Sequence, residues 1–150
     1  MADVHTPEQR SYNMSQIRGK NTKPEEIVRK YLFAQGFRYR KNDSRLPGKP
    51  DIVLPKYKTV IFVNGCFWHG HEECRYFVWP KNNAEFWKAK ISGNIQRDTQ
   101  CVRLLKEEGW NVIVVWECEL KKAKREATLI GLASRLKQML LAAQERDRNE

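Results

Sequence analysis

Asp-Ile-Val-Leu (residues 51–54) and Thr-Val-Ile-Phe-Val (residues 59–63) are two runs rich in β-branched residues, separated by the segment Pro55–Lys58. Two such runs on either side of a turn predict a β-hairpin. A third run, Asn-Val-Ile-Val-Val-Trp (residues 111–116), is almost wholly apolar. This pattern is typical of a strand buried on both faces, and we place it at the centre of the sheet.

Helical signals surround these strands. Thr22-Lys-Pro-Glu25 combines a capping threonine, a first-turn proline and a glutamate three residues after the cap, which predicts a helix that ends near Gly36. Apolar residues at helical spacing predict further helices at residues 84–108 and from Leu120 to about Ala143. Phe37–Arg40 alternates apolar and basic residues and predicts another strand. The order helix, three strands, helix, strand, helix indicates an α/β single domain with a mixed central sheet flanked by helices.

The composition points to a polyanionic partner. The 150 residues include 28 Lys plus Arg and 18 Asp plus Glu, so the formal charge is +10. Nucleic acid is the first candidate and an acidic membrane surface the second. No apolar run approaches the ~20 residues of a membrane helix, and the N-terminus lacks the apolar core of a secretory signal. We therefore expect a cytoplasmic protein whose four cysteines are reduced.

The first 21 residues are polar and basic, with few apolar positions. We interpret residues 1–21 as a DNA-contacting arm, in which Arg18 and Lys20 follow the phosphate backbone, and residues 22–150 as the folded domain. Met14 is apolar where apolar residues are scarce, and it is either a wedge that enters the duplex or a local contact.

Two carboxylates are candidates for metal chemistry. Asp51 opens a predicted strand directly after a turn, where an acid can hold a hard divalent cation while the sheet fixes its position. Such an ion neutralises charge on phosphate oxygens and activates water during phosphodiester hydrolysis. The competing interpretations are that Asp51 only caps a turn and that Glu25 only completes the capping box.

Cysteine and histidine spacing suggests a second metal. Cys66, His71 and Cys74 lie in an irregular segment after one predicted strand, and Cys118 follows another. Three thiolates and one imidazole suit a closed tetrahedral zinc site. A structural ion would hold the loop of residues 66–83 in shape, whereas the alternative is four inert thiols and a surface histidine. Cys101 has no partner in this arrangement.

Other residues of the same region suggest contacts with DNA and a proton carrier. His69 is either a zinc ligand in place of His71 or a free imidazole that moves protons near neutrality. Phe67 and Trp68 follow Cys66 directly, and exposed aromatic rings on a basic protein can enter a weak step of the duplex. Trp87 either joins these rings or belongs to the helix core.

Several of these motifs occur together in a known family. The run Val-Ile-Phe-Val-Asn-Gly-Cys-Phe-Trp-His (residues 60–69), the turn Leu-Pro-Gly-Lys-Pro-Asp (residues 46–51) and the run Trp-Asn-Val-Ile-Val-Val-Trp-Glu-Cys (residues 110–118) resemble the very-short-patch DNA mismatch repair endonucleases. The Met14 context, Thr22–Glu25 and Glu85-Phe-Trp87 resemble them as well, so the similarity covers about residues 1–120.

This resemblance implies a restriction-endonuclease-like fold, with a zinc-stabilised loop, that nicks double-stranded DNA 5′ to the thymine of a T:G mismatch left by deamination of 5-methylcytosine. It implies that Asp51 and the main-chain carbonyl of Val63 bind catalytic Mg²⁺, that Glu25 orients metal-bound water, and that His69 transfers a proton. It implies a structural Zn²⁺ whose ligands are Cys66, His71, Cys74 and Cys118. It also implies that Phe67, Trp68 and Trp87 wedge into the duplex beside the mispair, with Met14 entering from the arm. We also expect a monomer that acts on nucleoid DNA.

The chain departs from the best-known members at several positions. Asn64 stands where they carry histidine, so it can form hydrogen bonds with DNA but cannot titrate. Val63 replaces a common threonine, and the His71–Cys74 interval is one residue longer. The Glu-x-Lys pair of many nucleases with this fold is absent from the third strand. The alternatives to a mismatch endonuclease are a zinc-stabilised DNA-binding module without catalysis and a restriction-type nuclease with a different target.

Overall fold

The computed structural model describes residues 22–148, which form a four-stranded mixed sheet with three helices, in the predicted order. The helices and strands are α1 (Lys23–Ala34), β1 (Arg40–Lys41), β2 (Ile52–Leu54), β3 (Thr59–Asn64), α2 (Ala84–Glu107), β4 (Asn111–Trp116) and α3 (Arg125–Arg148). Short 3₁₀ turns occupy Pro55–Tyr57 and Glu117–Leu120. Within the described range, no helix is both long and apolar enough to cross a membrane.

The strands lie in the order β1-β2-β3-β4. Strands β2 and β3 form the predicted antiparallel hairpin, in which Val53 lies opposite Val60. Strand β4 pairs parallel with β3 and is therefore at the edge of the sheet, so our placement of it at the centre was wrong. Its apolar character has another cause, because both faces of the sheet are covered at this position.

Alternate side chains of the strands enter two hydrophobic clusters, one on each face. The larger cluster joins the sheet to α1 and α3, and its members include Val28, Leu32, Ile52, Leu54, Ile61, Val63, Ile113, Val115, Leu129 and Leu136. The smaller cluster joins the opposite face to α2 through Leu105, together with Val53, Val60, Phe62 and Val112. This two-residue alternation is the normal consequence of strand geometry, and it gives a helix–sheet–helix sandwich.

The threonine half of the predicted cap of α1 is formed, and the Glu25 side chain is paired with Arg29. The Thr22 Oγ1 atom accepts a hydrogen bond of 3.4 Å from the Glu25 backbone N–H, and a proline lies in the first turn. A residue in the first turn of a packed helix can direct its side chain inward, and Glu25 is only 3 % exposed. Capping therefore places a carboxylate inside the domain, beside the sheet.

Two predicted elements have different boundaries. The strand predicted at Phe37–Arg40 is only Arg40–Lys41, because Phe37 is drawn into the core and packs at 5.3 Å against the ring of Tyr57. The last helix begins at Arg125 rather than Leu120, and it extends to Arg148. The 3₁₀ turn Glu117–Leu120 lies where the start of the helix was predicted. It is held by a hydrogen bond of 2.9 Å that the Trp116 backbone N–H donates to the Glu119 Oε1 atom.

Candidate active site

A cavity of about 390 Å³ lies where α1, the ends of β2 and β3, and α2 meet. Its wall combines acidic, basic, imidazole and amide side chains with aromatic rings, and its members include Glu25, Lys49, Asp51, Phe62, Asn64, Trp68, His69, Asn94, Asp98 and Glu117. Asp51 and His69 therefore face the same space, as the proposed catalytic arrangement requires. Concave sites with a few converging polar groups are the usual location of catalysis.

Asp51 is held between a tight turn and the central strand. Its Oδ2 atom accepts a hydrogen bond of 2.6 Å from the Val63 backbone N–H. The preceding turn allows little change, because Gly48 has φ +76° and a Cβ atom there would lie 3.0 Å from Cys101 Cβ. Cys101, for which the sequence suggested no partner, thus packs against this turn and lines the cavity. The carboxylate is consequently fixed relative to β3.

Glu25 and Asp51 form a carboxyl pair. Burial raises the pKa of Asp51 to about 7, the negative charge of the neighbouring Glu25 and a hydrogen bond with it raise it too, and the Val63 N–H opposes the rise. Glu25 also accepts a hydrogen bond of 3.0 Å from the guanidinium of Arg29, and both side chains are buried. Arg29 is thus paired with one member of the carboxyl pair. The carboxyl oxygens of Glu25 and Asp51 are ligands of the kind that a hard divalent ion prefers.

His69 is oriented by an acid that the sequence did not reveal. Its Nδ1 atom lies 2.6 Å from Asp98 Oδ2, on α2. A carboxylate accepts the proton of Nδ1, and this tautomer leaves Nε2 as the ring atom that can accept a proton. The Gly65 carbonyl also accepts a hydrogen bond of 3.2 Å from the His69 backbone N–H. His69 is therefore held by Asp98 and by the Gly65 carbonyl, and it is absent from the metal-ligating cluster described next.

Cys66, His71, Cys74 and Cys118 come together at the carboxyl ends of β3 and β4. Their ligand atoms all lie within 4.8 Å of one another. A tetrahedral zinc ion with Zn–S bonds of about 2.3 Å places its ligand atoms roughly 3.8 Å apart, so this cluster fits zinc with small adjustments. The parallel pairing of β3 and β4 explains why residues 52 positions apart meet. We call these four residues the Cys/His cluster.

Protein contacts orient the members of the Cys/His cluster. The His71 ring stacks on the Trp116 ring at 3.9 Å and an angle of 5°. The Cys66 Sγ atom accepts a hydrogen bond of 3.3 Å from the Cys118 backbone N–H, and burial raises the pKa of the Cys66 thiol to about 12. All four cysteines of the chain are free thiols in the structure. Metal binding here requires the loss of thiol protons, and it is therefore weakened by acid.

Three aromatic rings, Phe67, Trp68 and Trp87, pack together beside the cavity, and we call them the aromatic wedge. Phe67 lies 5.3 Å from each of the two tryptophans, and these are 5.7 Å apart. The Asn94 Nδ2 atom donates a hydrogen bond of 2.8 Å to the Trp68 carbonyl oxygen, which ties the loop to α2. All three rings are partly exposed, so Trp87 is not confined to the helix core.

The structure also limits and extends the set of predicted residues. Met14, Arg18 and Lys20 lie outside the described residues. Asn64 is buried in the cavity wall, at 8 % exposure. The contacts that the sequence analysis did not suggest come from Arg29, Asn94, Asp98 and Trp116. Arg29 lies four residues after Glu25, a helical spacing that indicates an ion pair, whereas the other three contacts join segments distant in the chain, for which no local pattern is diagnostic.

The chain is similar to known DNA-cleaving enzymes over most of its length. The family model described as "DNA mismatch endonuclease Vsr" matches residues 2–75. The DNA mismatch endonuclease Vsr of Escherichia coli (strain K12) is 41% identical over 140 residues, which are 93% of this chain and 88% of that protein. The type II nicking enzyme V.NmeAIP of Neisseria meningitidis serogroup A is 57% identical over 121 residues, 81% of this chain and 86% of that protein.

The type II nicking enzyme V.XorIIP of Xanthomonas oryzae pv. oryzae is 46% identical over 140 residues, 93% of this chain and 98% of that protein. These relatives match at well above 30% identity and over most of their own length. The motifs quoted from the sequence indicated a DNA endonuclease, and the names of these relatives agree with that class of enzyme. The chain therefore belongs to the Vsr family of DNA mismatch endonucleases.

Proposed function

We propose that this enzyme nicks one strand of duplex DNA 5′ to the thymine of a T:G mismatch produced by deamination of 5-methylcytosine, in a Mg²⁺-dependent hydrolysis. The observation that carries the proposal is the convergence of Asp51, Glu25 and His69 on one cavity that also borders the aromatic wedge. Binding to DNA alone would require neither the carboxyl pair nor the imidazole. A mismatch endonuclease and several nicking enzymes among the relatives support the same reaction.

Asp51 and the main-chain carbonyl of Val63 would hold the catalytic magnesium. The buried carboxyl pair fits a small, hard cation, since oxygen ligands are those that Mg²⁺ prefers. When bound, the ion supplies charge neutralisation at the scissile phosphate and acidifies water. Glu25 orients the attacking water, and Arg29 holds the Glu25 carboxylate through its 3.0 Å contact.

His69 transfers a proton through Nε2, near the attacking water or the scissile phosphate. Asp98 maintains the tautomer of His69 that carries its proton on Nδ1. Asn64 replaces a titratable residue, so it contributes a hydrogen bond and no second proton carrier. The aromatic wedge of Phe67, Trp68 and Trp87 enters the duplex beside the mispair, with Met14 entering from the arm. Exposed rings on a basic protein can unstack a weak base step in this way.

The remaining parts support this site. Zn²⁺ bound by Cys66, His71, Cys74 and Cys118 has a structural role, because three thiolates and one imidazole leave no open ligand position. Residues 1–21 form the basic arm, in which Arg18 and Lys20 contact phosphates, and residues 22–150 form the endonuclease domain. The enzyme acts as a monomer on nucleoid DNA in the cytoplasm.

A nicking assay tests the proposal directly. We expect the zinc-loaded enzyme to nick a labelled duplex that contains one T:G pair, and to leave the C:G duplex of the same sequence intact. Addition of a chelator that removes Mg²⁺ should stop the reaction without releasing the DNA, because binding depends mainly on basic and aromatic residues. Equal nicking of both duplexes would indicate a restriction-type nuclease, and binding without nicking would indicate a non-catalytic module.

Replacement of the proton carrier and of its partner should lower the rate to different degrees. We expect His69→Gln to reduce nicking about 10²–10⁴-fold, the usual contribution of a general acid or base. Asp98→Asn should reduce the nicking rate about 10–100-fold and change the pH–rate profile. The amide can donate a hydrogen bond to Nδ1 of His69, and this favours the tautomer that carries its proton on Nε2. The measurement is the single-turnover rate from pH 6 to 9, with DNA affinity followed separately.

Glu107→Gln is the matched control for the Asp98 variant. Glu107 is an exposed acid on the same helix, and its contact with Arg103 at 3.9 Å is also exposed. The control should retain both the rate and the pH profile. If Asp98→Asn matched the wild type in rate and profile, Asp98 would have no part in orienting His69.

A further inference from the structure

The aromatic wedge continues along the loop into two rings that the proposed mechanism does not use. Phe77 lies 6.0 Å from Phe67, and Trp79 lies 4.9 Å from Phe77 in an edge-to-face arrangement. These centroid separations place Trp79 within about three base-pair rises of Phe67, at ~3.4 Å for each rise. The extension is thus of the size of a few base pairs of duplex.

Trp79 presents much of its indole to solvent. Its exposure is 48 %, and the adjacent Val78 is 70 % exposed, although large apolar side chains are normally buried. The loop is anchored beside the Cys/His cluster, where the Cys74 carbonyl oxygen accepts a hydrogen bond of 3.0 Å from the Phe77 backbone N–H. An exposed ring on an anchored loop loses little conformational entropy on binding.

Two cations meet at Tyr76, three residues before Trp79 in the same loop. The Arg75 guanidinium and the Lys121 ammonium each lie 5.0 Å from the centre of the Tyr76 ring. Lys121 follows the 3₁₀ turn after β4, so the two cations come from different parts of the chain and meet at one ring. Both residues are exposed and are able to contact phosphates. We call Arg75, Tyr76, Trp79 and Lys121 the outer loop surface.

We propose that the outer loop surface binds the duplex next to the mispair, with Trp79 packed against nucleotides there and Lys121 contacting a phosphate. This inference rests on the proposed function, and it adds a contact that stabilises binding without reading the mismatch. A polyanionic partner fits better than another protein, because two exposed cations lie on or against the loop that carries Trp79, and Phe77 joins Trp79 to the aromatic wedge. Aromatic contact with nucleotides tolerates any sequence, since every base has a π-face.

The test compares Trp79→Ala with Trp79→Phe on T:G and C:G duplexes of the same sequence. We expect Trp79→Ala to weaken binding to both duplexes by the same factor, about tenfold, and Trp79→Phe to restore most of the affinity. Duplexes shortened one base pair at a time, on each side of the mispair, locate the contact. On one side, the difference between wild type and Trp79→Ala should disappear once the contacted nucleotides are removed.

Two controls accompany these variants. Leu141→Ala removes a side chain with 59 % exposure from α3, and it should leave the affinity unchanged. Trp68→Ala should weaken binding to the T:G duplex more than to the C:G duplex, and its effect should persist on the shortest duplex that still binds. Zinc content and melting temperature are measured for every variant, so that a loss of affinity is not confused with loss of the folded loop.

Lys121→Gln gives an independent measurement. A lysine that neutralises one phosphate contributes about 0.9 to the slope of log K against log salt concentration. We expect the slope to fall by about that amount for Lys121→Gln, with no change in the preference for T:G over C:G. An unchanged slope would show that this ammonium does not contact DNA and would overturn its part of the proposal.

The outcomes separate the two proposals. If Trp79→Ala bound every duplex as the wild type does, the outer loop surface would not be a DNA contact, and a protein partner would be the remaining occupant. The proposed function would still stand if Trp68→Ala lost its preference for T:G. If the wild type itself showed no preference for the mismatch, the proposed function would fail, whatever the effect of Trp79→Ala.

Discussion

Asp51→Asn should abolish nicking while the protein still binds mismatched DNA. The substitution keeps the shape of the side chain and an oxygen for the Val63 N–H, but it removes the charge that would hold Mg²⁺. Because the ion contributes several kcal/mol to stabilising the transition state, we expect the single-turnover rate to fall more than about a thousandfold. Retained nicking by this variant would remove Asp51 from the metal site.

The same variant should be more stable than the wild type when magnesium is absent. Burial raises the pKa of Asp51 from 3.8 to about 7, so the unfolded chain loses this proton first. The contribution of Asp51 to the stability of the wild type therefore falls as the pH rises from about 4 to about 7 and changes little above that. We expect Asp51→Asn to gain stability on the order of 2–4 kcal/mol at pH 8, measured by urea unfolding with a chelator.

Asp43→Asn is the contrasting control for the stability measurement. A hydrogen bond from the Arg45 side chain lowers the pKa of Asp43 to about 2, so its charge favours the folded state at neutral pH. The variant should therefore be less stable than the wild type at pH 8, and the difference should shrink as the pH falls from about 4 through about 2. A gain in stability for both variants would mean that loss of negative charge, rather than burial of Asp51, governs the result.

Cys118→Ser should release the structural zinc and destabilise the domain. Cys118 is the member of the Cys/His cluster that joins the end of β4 to the loop after β3, and its backbone N–H also donates a hydrogen bond to Cys66 Sγ. Because metal binding is coupled to folding, we expect the zinc content to fall below one per chain. The melting temperature should fall by about 10 °C or more, since each kcal/mol shifts a domain of this size by roughly 2–4 °C.

Cys101→Ser is the control for zinc loss. Cys101 lies outside the Cys/His cluster and packs against the turn before Asp51. This variant should keep a full zinc content and should melt close to the wild type. If Cys118→Ser retained one zinc per chain and an unchanged melting temperature, the Cys/His cluster would have no role in holding a metal.

The order of the elements and most of the candidate residues could be predicted from the chain alone. The hairpin of β2 and β3 follows from two β-branched runs around a turn, and the start of α1 follows from the capping Thr22 and the proline of the first turn. The Cys/His cluster could be inferred from residue types and spacing, because three cysteines and one histidine near the ends of two predicted strands are a ligand set typical of a tetrahedral zinc site. These features depend on residues that are close in the chain or chemically distinctive.

Other features depend on the tertiary structure. Apolar runs look alike in central strands and in covered edge strands, so only the observed pairing shows that β4 is at the edge. Asp98 lies 29 residues beyond His69, and only the packing of α2 against the loop brings the two within 2.6 Å. Burial, rather than residue type, sets the pKa of Asp51. Local patterns encode backbone preferences and ligand chemistry, whereas partner choice and solvent exclusion arise when distant segments pack together.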